Sequence, residues 1–174
     1  MKLMSCDILI VGSGLTGLVT AYSLSLLGFK IILTEQKKIL NNKIITKHDT
    51  RTTAIAEGSK VFLDHIGLWK KLSLFVEPIK NIDVIDRSAK NKIEFFNNFR
   101  NHNLGYIVKN SNFILTLKNF LLKKKNVIFI DSVKLNRINY TSNSVESCFN
   151  NLKIDADLII AADGKKSTVR KILK

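Results

Sequence analysis

Gly12, Gly14 and Gly17 stand in the spacing GxGxxG, between an apolar run, DILIV over Asp7–Val11, and a stretch of helical periodicity. Glycines spaced this way suit a dinucleotide pyrophosphate. The first permits a tight turn, the second lets the phosphates approach the backbone, and the third lets helix and strand pack closely. The helix that follows would present free N–H groups and a partial positive charge to the anion. Glu35 lies 18 residues after Gly17, at the end of a second apolar run. A carboxylate there can accept hydrogen bonds from an adenosine ribose and would repel a 2′-phosphate, which points to FAD or NAD rather than NADP. The plainer alternatives are a structural glycine turn and a solvated acid at a strand end. The flanking strand, helix and acid together favour the dinucleotide.

A second candidate anion cradle is Asp163–Gly164–Lys165–Lys166–Ser167–Thr168–Val169–Arg170, which follows the apolar DLIIAA. A strand that ends in Asp-Gly and opens into a helix through Ser repeats the logic of the first turn. Arg170 can tie the turn down or face a phosphate. Taken alone, Asp-Gly is only a turn dipeptide.

These residues need elements to hold them. Leu15, Leu18, Val19, Tyr22 and Leu26 share a helical face, Gly28 ends that helix, and Lys30–Glu35 reads as a strand. This is a βαβ opening with a right-handed crossover. Residues 36–48 have no clean period and read as a loop. Residues 49–72 read as capped turns and two short helices, with Thr and Ser as candidate caps. Asn81–Asp86 and Ile93–Phe96 flank a polar turn as in a hairpin, and GYIVK leads into a helix over Asn112–Lys124. Strands are expected at Val127–Ile130 and Val133–Ile138, a weaker pair between Val145 and Ile154, then Asp157–Ala161 and a helix from about Ser167. The fold class is α/β: a Rossmann-like domain into which antiparallel strands are inserted.

Composition excludes more than it identifies. The 174 residues are 45% hydrophobic and 24% charged, within the range of globular domains. The net charge is +14, but the longest basic run is Lys123–Lys124–Lys125, and no zinc spacing or arginine tract accompanies it. Nucleic acid is therefore not expected, whereas weak contact with anionic lipid is left open. Cys6 and Cys148 are far apart and form no CxxC pair, which suggests a reducing, cytoplasmic compartment. His48, His65 and His102 have no metal-ligand spacing, so no metal is expected. The apolar stretch Leu15–Leu33 is broken by Gly17, Ser23, Ser25 and Gly28, and reads as a buried βαβ unit rather than a membrane span.

With these motifs in view, the chain resembles the FAD-dependent aromatic-ring hydroxylases, and among them the ubiquinone-biosynthesis hydroxylases. The matching segments are Asp7–Gly17 in the pattern DxxIVGxGxxG, the acid Glu35, Asp49–Thr50–Arg51, Gly105–Asn110, and Ala162–Arg170. They fall in family order along the whole chain. The resemblance implies FAD held by Gly12, Gly14, Gly17 and Glu35, with Arg51 near the flavin or pyrophosphate. The Asp163–Gly164 segment would serve both FAD and the incoming NAD(P)H. It also implies reduction of FAD by NAD(P)H and reaction with O₂ to hydroxylate a phenolic or polyprenyl-phenol substrate. No catalytic residue is named by it. Residues 1–75 and 105–174 would belong mainly to the FAD domain and 76–104 to strands of a substrate domain. Family members are about twice as long and carry a second FAD segment, Gly-Asp-Ala-x-His, which this sequence lacks. The expectation is an N-terminal part, completed by a separately encoded C-terminal half or left by a broken gene, cytoplasmic or peripheral to the inner membrane. The 174 residues alone are expected to be inactive in hydroxylation. Two other readings remain: a self-sufficient NAD-dependent dehydrogenase, disfavoured by the missing repeated βαβ units, and a non-catalytic nucleotide-binding module.

Overall fold

The computed structural model describes residues 1–38, 49–86, 91–96 and 103–174. Most of the loop expected over 36–48, the turn of the 81–96 hairpin, and His48 and His102 lie outside the described residues. The chain divides into two compact units, Met1–Ile45 with Ile114–Lys174, and Thr46–Phe113.

The first unit is built on a six-stranded sheet. Its strands are β1 (Lys2–Val11), β2 (Ile31–Thr34), β8 (Val127–Ile130), β9 (Leu135–Tyr140), β10 (Val145–Phe149) and β11 (Leu152–Ala161). They lie in the order β8-β2-β1-β11-β10-β9. The pairs β8–β2, β2–β1 and β1–β11 are parallel, while β10 runs antiparallel to both β11 and β9. Helix α1 (Leu15–Leu26) makes the first crossover. Strand β2 and the Ile8–Val11 end of β1 show continuous rather than alternating burial, as expected of parallel strands covered on both faces. Leu9, Ile32, Leu135, Phe149, Ile154 and Val169 form the centre of one core, and Tyr22 of α1 meets Phe120 edge to face at 5.4 Å.

The expected weak pair and the Asp157–Ala161 strand prove to be β10 and one long strand, β11, because Leu152–Ala156 pairs with Lys2–Cys6 and continues unbroken into DLIIA. The strand expected at Val133–Ile138 starts two residues later, since Asp131–Ser132 turns with Ser132 at φ 59°.

The second unit holds a three-stranded antiparallel sheet in the order β3-β7-β4, from β3 (Thr52–Ala56), β4 (Val76–Ile79) and β7 (Gly105–Lys109). It also has helices α2 (Glu57–His65) and α3 (Trp69–Leu72), and the hairpin β5 (Asn81–Asp86) with β6 (Asn91–Phe96). The threonines of TTAIA do not serve as the expected caps. They belong instead to β3, where β-branched residues suit an extended backbone. Gly105 has no room for a side chain, since a Cβ there would lie 2.6 Å from the Ile55 carbonyl oxygen. Helix α4 runs over Asn110–Leu121, and its Asn110 accepts at Oδ1 a 2.6 Å hydrogen bond from Thr53 Oγ1.

Candidate functional site

The strand order puts β1 at the switch point of the parallel sheet, with β2 on one side and β11 on the other. Ligands of open α/β sheets bind beyond the carboxyl ends of the strands at such a point. Both glycine turns arise there, one from the end of β1 and one from the end of β11.

They are packed against each other. Gly12 has φ +105°, donates its N–H to the Thr34 carbonyl, and lies so close to Ala162 that a Cβ would be 2.4 Å from the Ala162 oxygen. The Ala162 N–H in turn donates to the Val11 carbonyl at 2.8 Å. A Cβ on Gly17 would stand 1.9 Å from the Gly12 oxygen. Gly14 differs: nothing lies within 4 Å of its Cβ position. It is the N-cap of α1, and no side chain caps that helix. Among the described residues, the space at a Gly14 Cβ is therefore open, and the first turn of α1 carries no side-chain cap. Two glycines are closed in by backbone, and one faces a cradle.

Glu35 borders this cradle. Its Oε2 accepts from the Ser13 N–H at 3.0 Å and the Ser13 hydroxyl at 2.7 Å, and its Oε1 accepts from the Lys37 N–H at 3.1 Å. Burial disfavours the charged carboxylate, but the N–H of Lys37 and the hydroxyl and N–H of Ser13 outweigh it and hold the pKa below its ordinary value. The group is thus an anion at neutral pH.

Asp163 has a structural task at the second turn. Its Oδ2 accepts the N–H groups of Thr168 at 2.5 Å and Val169 at 3.1 Å, capping the short helix α5 (Thr168–Ile172). Burial opposes ionisation here too, and the Ser167 hydroxyl with the Val169 and Thr168 N–H groups overcomes it, lowering the pKa. Its Oδ1 is buried without a hydrogen-bond partner among the described residues. Gly164 has φ +79°, a conformation other residues resist. Arg170 ties the turn down, its Nη2 donating to the Lys165 carbonyl at 2.6 Å.

The cap makes a pH prediction. A carboxyl whose folded pKa is depressed contributes stability that is full above its unfolded value and is lost as pH falls through the folded one. Asp163→Ala should cost about 1 kcal/mol at neutral pH, and the deficit should shrink as the wild type is acidified. Melting temperatures of the two proteins between neutral and acid pH check this. An equal gap at every pH would mean the carboxylate does not cap the helix as an anion.

Arg51 belongs to the second unit. There it pairs with Asp49, Nε to Oδ1 at 2.8 Å and Nη2 to Oδ2 at 3.0 Å, with its side chain 76% exposed. The structure thus brings together Gly12, Gly14, Gly17, Glu35, Asp163 and Gly164, and gives Arg51 a partner of its own. Two nearby residues escaped the sequence reading. Ser13 is an unspecified position of the glycine pattern. Lys118 of α4 is part-buried, its pKa lowered by burial against the opposing pull of Glu35 and Asp131. No spacing in the sequence connects it to Glu35.

Among the described residues, no group of three or more His, Cys, Asp or Glu side chains could hold a metal ion, and no helix is long and apolar enough to cross a membrane. Cys6 and Cys148 are free, and burial pushes the Cys6 thiol up to about 11.

Residues 10–63 match the NAD(P)-binding Rossmann-like domain family. The chain is 26% identical over 168 residues to the ubiquinone hydroxylase UbiL of Rhodospirillum rubrum, covering 95% of this chain and 38% of that protein. It is also 26% identical over 176 residues to the ubiquinone hydroxylase UbiM of Neisseria meningitidis, covering 96% and 38%. It thus spans well under half the length of the curated relatives it matches. In fold it is similar to the flavin-dependent monooxygenase PieE, solved in complex with FAD and substrate. That match has a TM-score of 0.79 at 16% identity and covers 98% of this chain and 32% of PieE. The resemblance drawn from the motifs therefore holds in sequence, toward ubiquinone hydroxylases, and in fold, toward a flavin monooxygenase.

Proposed function

We propose that these residues form the FAD-binding portion of an NAD(P)H-dependent monooxygenase that hydroxylates a phenolic or polyprenyl-phenol ring in ubiquinone biosynthesis. The observation that carries the reading is the glycine cradle. Gly12 and Gly17 are closed in by backbone, Gly14 is open, and an ionised Glu35 stands beside it. The relatives' hydroxylase activity supports the rest.

FAD fits the residues present. The N–H groups of the first turn of α1 would hold the pyrophosphate over Gly14. Glu35 would accept from the adenosine ribose and, as an anion, would turn away a 2′-phosphate. The buried, unpartnered Oδ1 of Asp163 would accept from a hydroxyl of the cofactor or from an ordered water, with Gly164 keeping the turn tight. Arg51 would serve the flavin or pyrophosphate once released from Asp49. When bound, FAD supplies the redox chemistry by which NAD(P)H and O₂ hydroxylate the ring, and the protein positions and shields it. In this reading residues 1–75 and 105–174 serve FAD, and 76–104 contribute strands toward the substrate. The remaining enclosure comes from a C-terminal half, encoded separately if not in the same chain. The protein works in the cytoplasm, at the inner membrane surface.

Purified protein should carry flavin absorbance, and NADH or NADPH should bleach it. Bound NAD without flavin would favour a dehydrogenase instead. Flavin that neither donor reduces would favour a non-catalytic nucleotide module. Glu35→Ala should weaken FAD by about 10- to 150-fold, since a hydrogen bond to a charged group is worth about 1.5–3 kcal/mol. The same titration with Glu35→Gln should show that charge matters as well as shape. Unchanged affinity in Glu35→Ala removes this residue from the site.

A further inference from the structure

At the edge of the first unit remote from the glycine turns, the chain places apolar side chains and lysines together. The C-terminal end of α1 leaves Leu26, Leu27 and Phe29 exposed, followed by exposed Lys30. The end of α4 leaves Leu122 exposed, followed by Lys123, Lys124 and Lys125. Leu27 and Leu122 are 73% and 77% exposed, more than almost any other large apolar side chain described.

The two ends are fixed side by side. Asn126 donates from Nδ2 to the Ser25 carbonyl at 2.9 Å and to the Phe29 carbonyl at 2.8 Å, and its own carbonyl accepts the Ile31 N–H at 2.8 Å. Lys124 Nζ lies 5.6 Å from the centre of the Tyr22 ring. A hollow of about 340 Å³ opens at the same edge, with Lys30 and Lys125 among its lining and Ile32 and Ile128 beneath them. Residues 13–34 and 110–130 contain no Asp or Glu, so both segments carry only positive charge, while Asp7, Asp155 and Asp157 act on Cys6 in the lining of the hollow. Asp7 Oδ2 accepts the Lys30 N–H.

We infer that this edge docks on an anionic lipid bilayer. Leu27, Phe29 and Leu122 enter the boundary between headgroups and acyl chains, and Lys30, Lys123 and Lys125 meet the lipid phosphates. Apolar tips ringed by lysines are what an interfacial anchor needs, because neither signal alone holds firmly. A nucleic acid would use the lysines but leave the leucines unsatisfied. Strands β1, β2 and β8 are parallel, and this edge lies at their amino ends, so docking leaves the carboxyl-end crevice free. The inference gives a location to the membrane contact proposed above and does not depend on FAD.

The test is co-sedimentation of the 174-residue chain with phosphatidylcholine vesicles, with and without a minor share of phosphatidylglycerol. Binding should require phosphatidylglycerol and weaken with salt. Lys123→Ser/Lys125→Ser should weaken it about 30-fold, taking roughly fivefold per lysine. Leu27→Ser/Leu122→Ser should weaken it about tenfold or more. Lys70→Ser/Lys71→Ser, an equal loss of charge on exposed residues of the second unit, should change it little. Circular dichroism and flavin absorbance matching wild type exclude misfolding and separate this result from the cofactor reading. The inference is overturned if the leucine variant binds as wild type, or if the Lys70/Lys71 variant loses as much. Binding to pure phosphatidylcholine, or to single-stranded RNA without any need for the leucines, would overturn it equally.

Discussion

Gly14→Val is expected to fold and to lose FAD. No atom lies within 4 Å of the Gly14 Cβ position, and the backbone there, at φ −67° and ψ −178°, is extended and open to any residue. The first carbon of valine thus meets no atom among the described residues, and the backbone is not strained. What it fills is the space over the first turn of α1, where the proposed pyrophosphate would accept from N–H groups. Displacing the phosphates loses at least two charge-assisted hydrogen bonds, about 1.5–3 kcal/mol each, so affinity should fall by about 100-fold or more. Isothermal titration with FAD and a melting curve without it, on the same preparation, read both halves of the prediction. A folded variant that binds FAD like wild type would mean that the cradle is not a phosphate site.

The cradle was legible because its residues are local. GxGxxG, its preceding strand and the helix after it lie within Asp7–Leu26, and backbone geometry at each glycine follows from having no side chain. Glu35 was legible for the same reason, one crossover away. The junction of the two turns was not. That Ala162 presses on Gly12 depends on β11 lying beside β1, and no periodicity in the sequence reveals which strands become neighbours across 150 residues. The task of Asp163 in capping α5 was hidden likewise: an Asp-Gly pair looks the same whether its carboxylate faces a ligand or its own backbone. Strand β3 was missed because TTAIA carries two threonines, which serve equally as caps and as strand residues. Its pairing with β7, some 50 residues on, decides the matter. Lys118 came near Glu35 only through the tertiary placement of α4, whose Phe120 meets Tyr22 of α1.

Gly17→Val should break the structure rather than the binding. Its Cβ would stand 1.9 Å from the Gly12 carbonyl oxygen and 3.3 Å from the Ala162 Cβ. The nearer of these is backbone, already fixed because Gly12 donates to Thr34 and Ala162 to Val11. Neither the turn nor α1 can yield alone, so the first turn of the helix must lift away from β1. Leu18 and Ala21, both fully buried, would lift with it. Overpacking of ordinary cores costs about 1–3 kcal/mol, and an approach this short against backbone belongs at or above the top of that range. For a chain of this size about 3 kcal/mol lowers the melting temperature by roughly 6–12 °C. It also removes a large part of a total stability of about 5–15 kcal/mol. Gly17→Ala should show the same direction with a smaller fall, since the first carbon already collides. The pair Gly14→Val and Gly17→Val therefore separates two tasks within one motif. The first should lose ligand at wild-type stability, and the second should lose stability whether or not FAD is present. If Gly17→Val melts within a degree or two of wild type, helix α1 does not sit against β1 as closely as described, and the cradle built on that contact is misplaced.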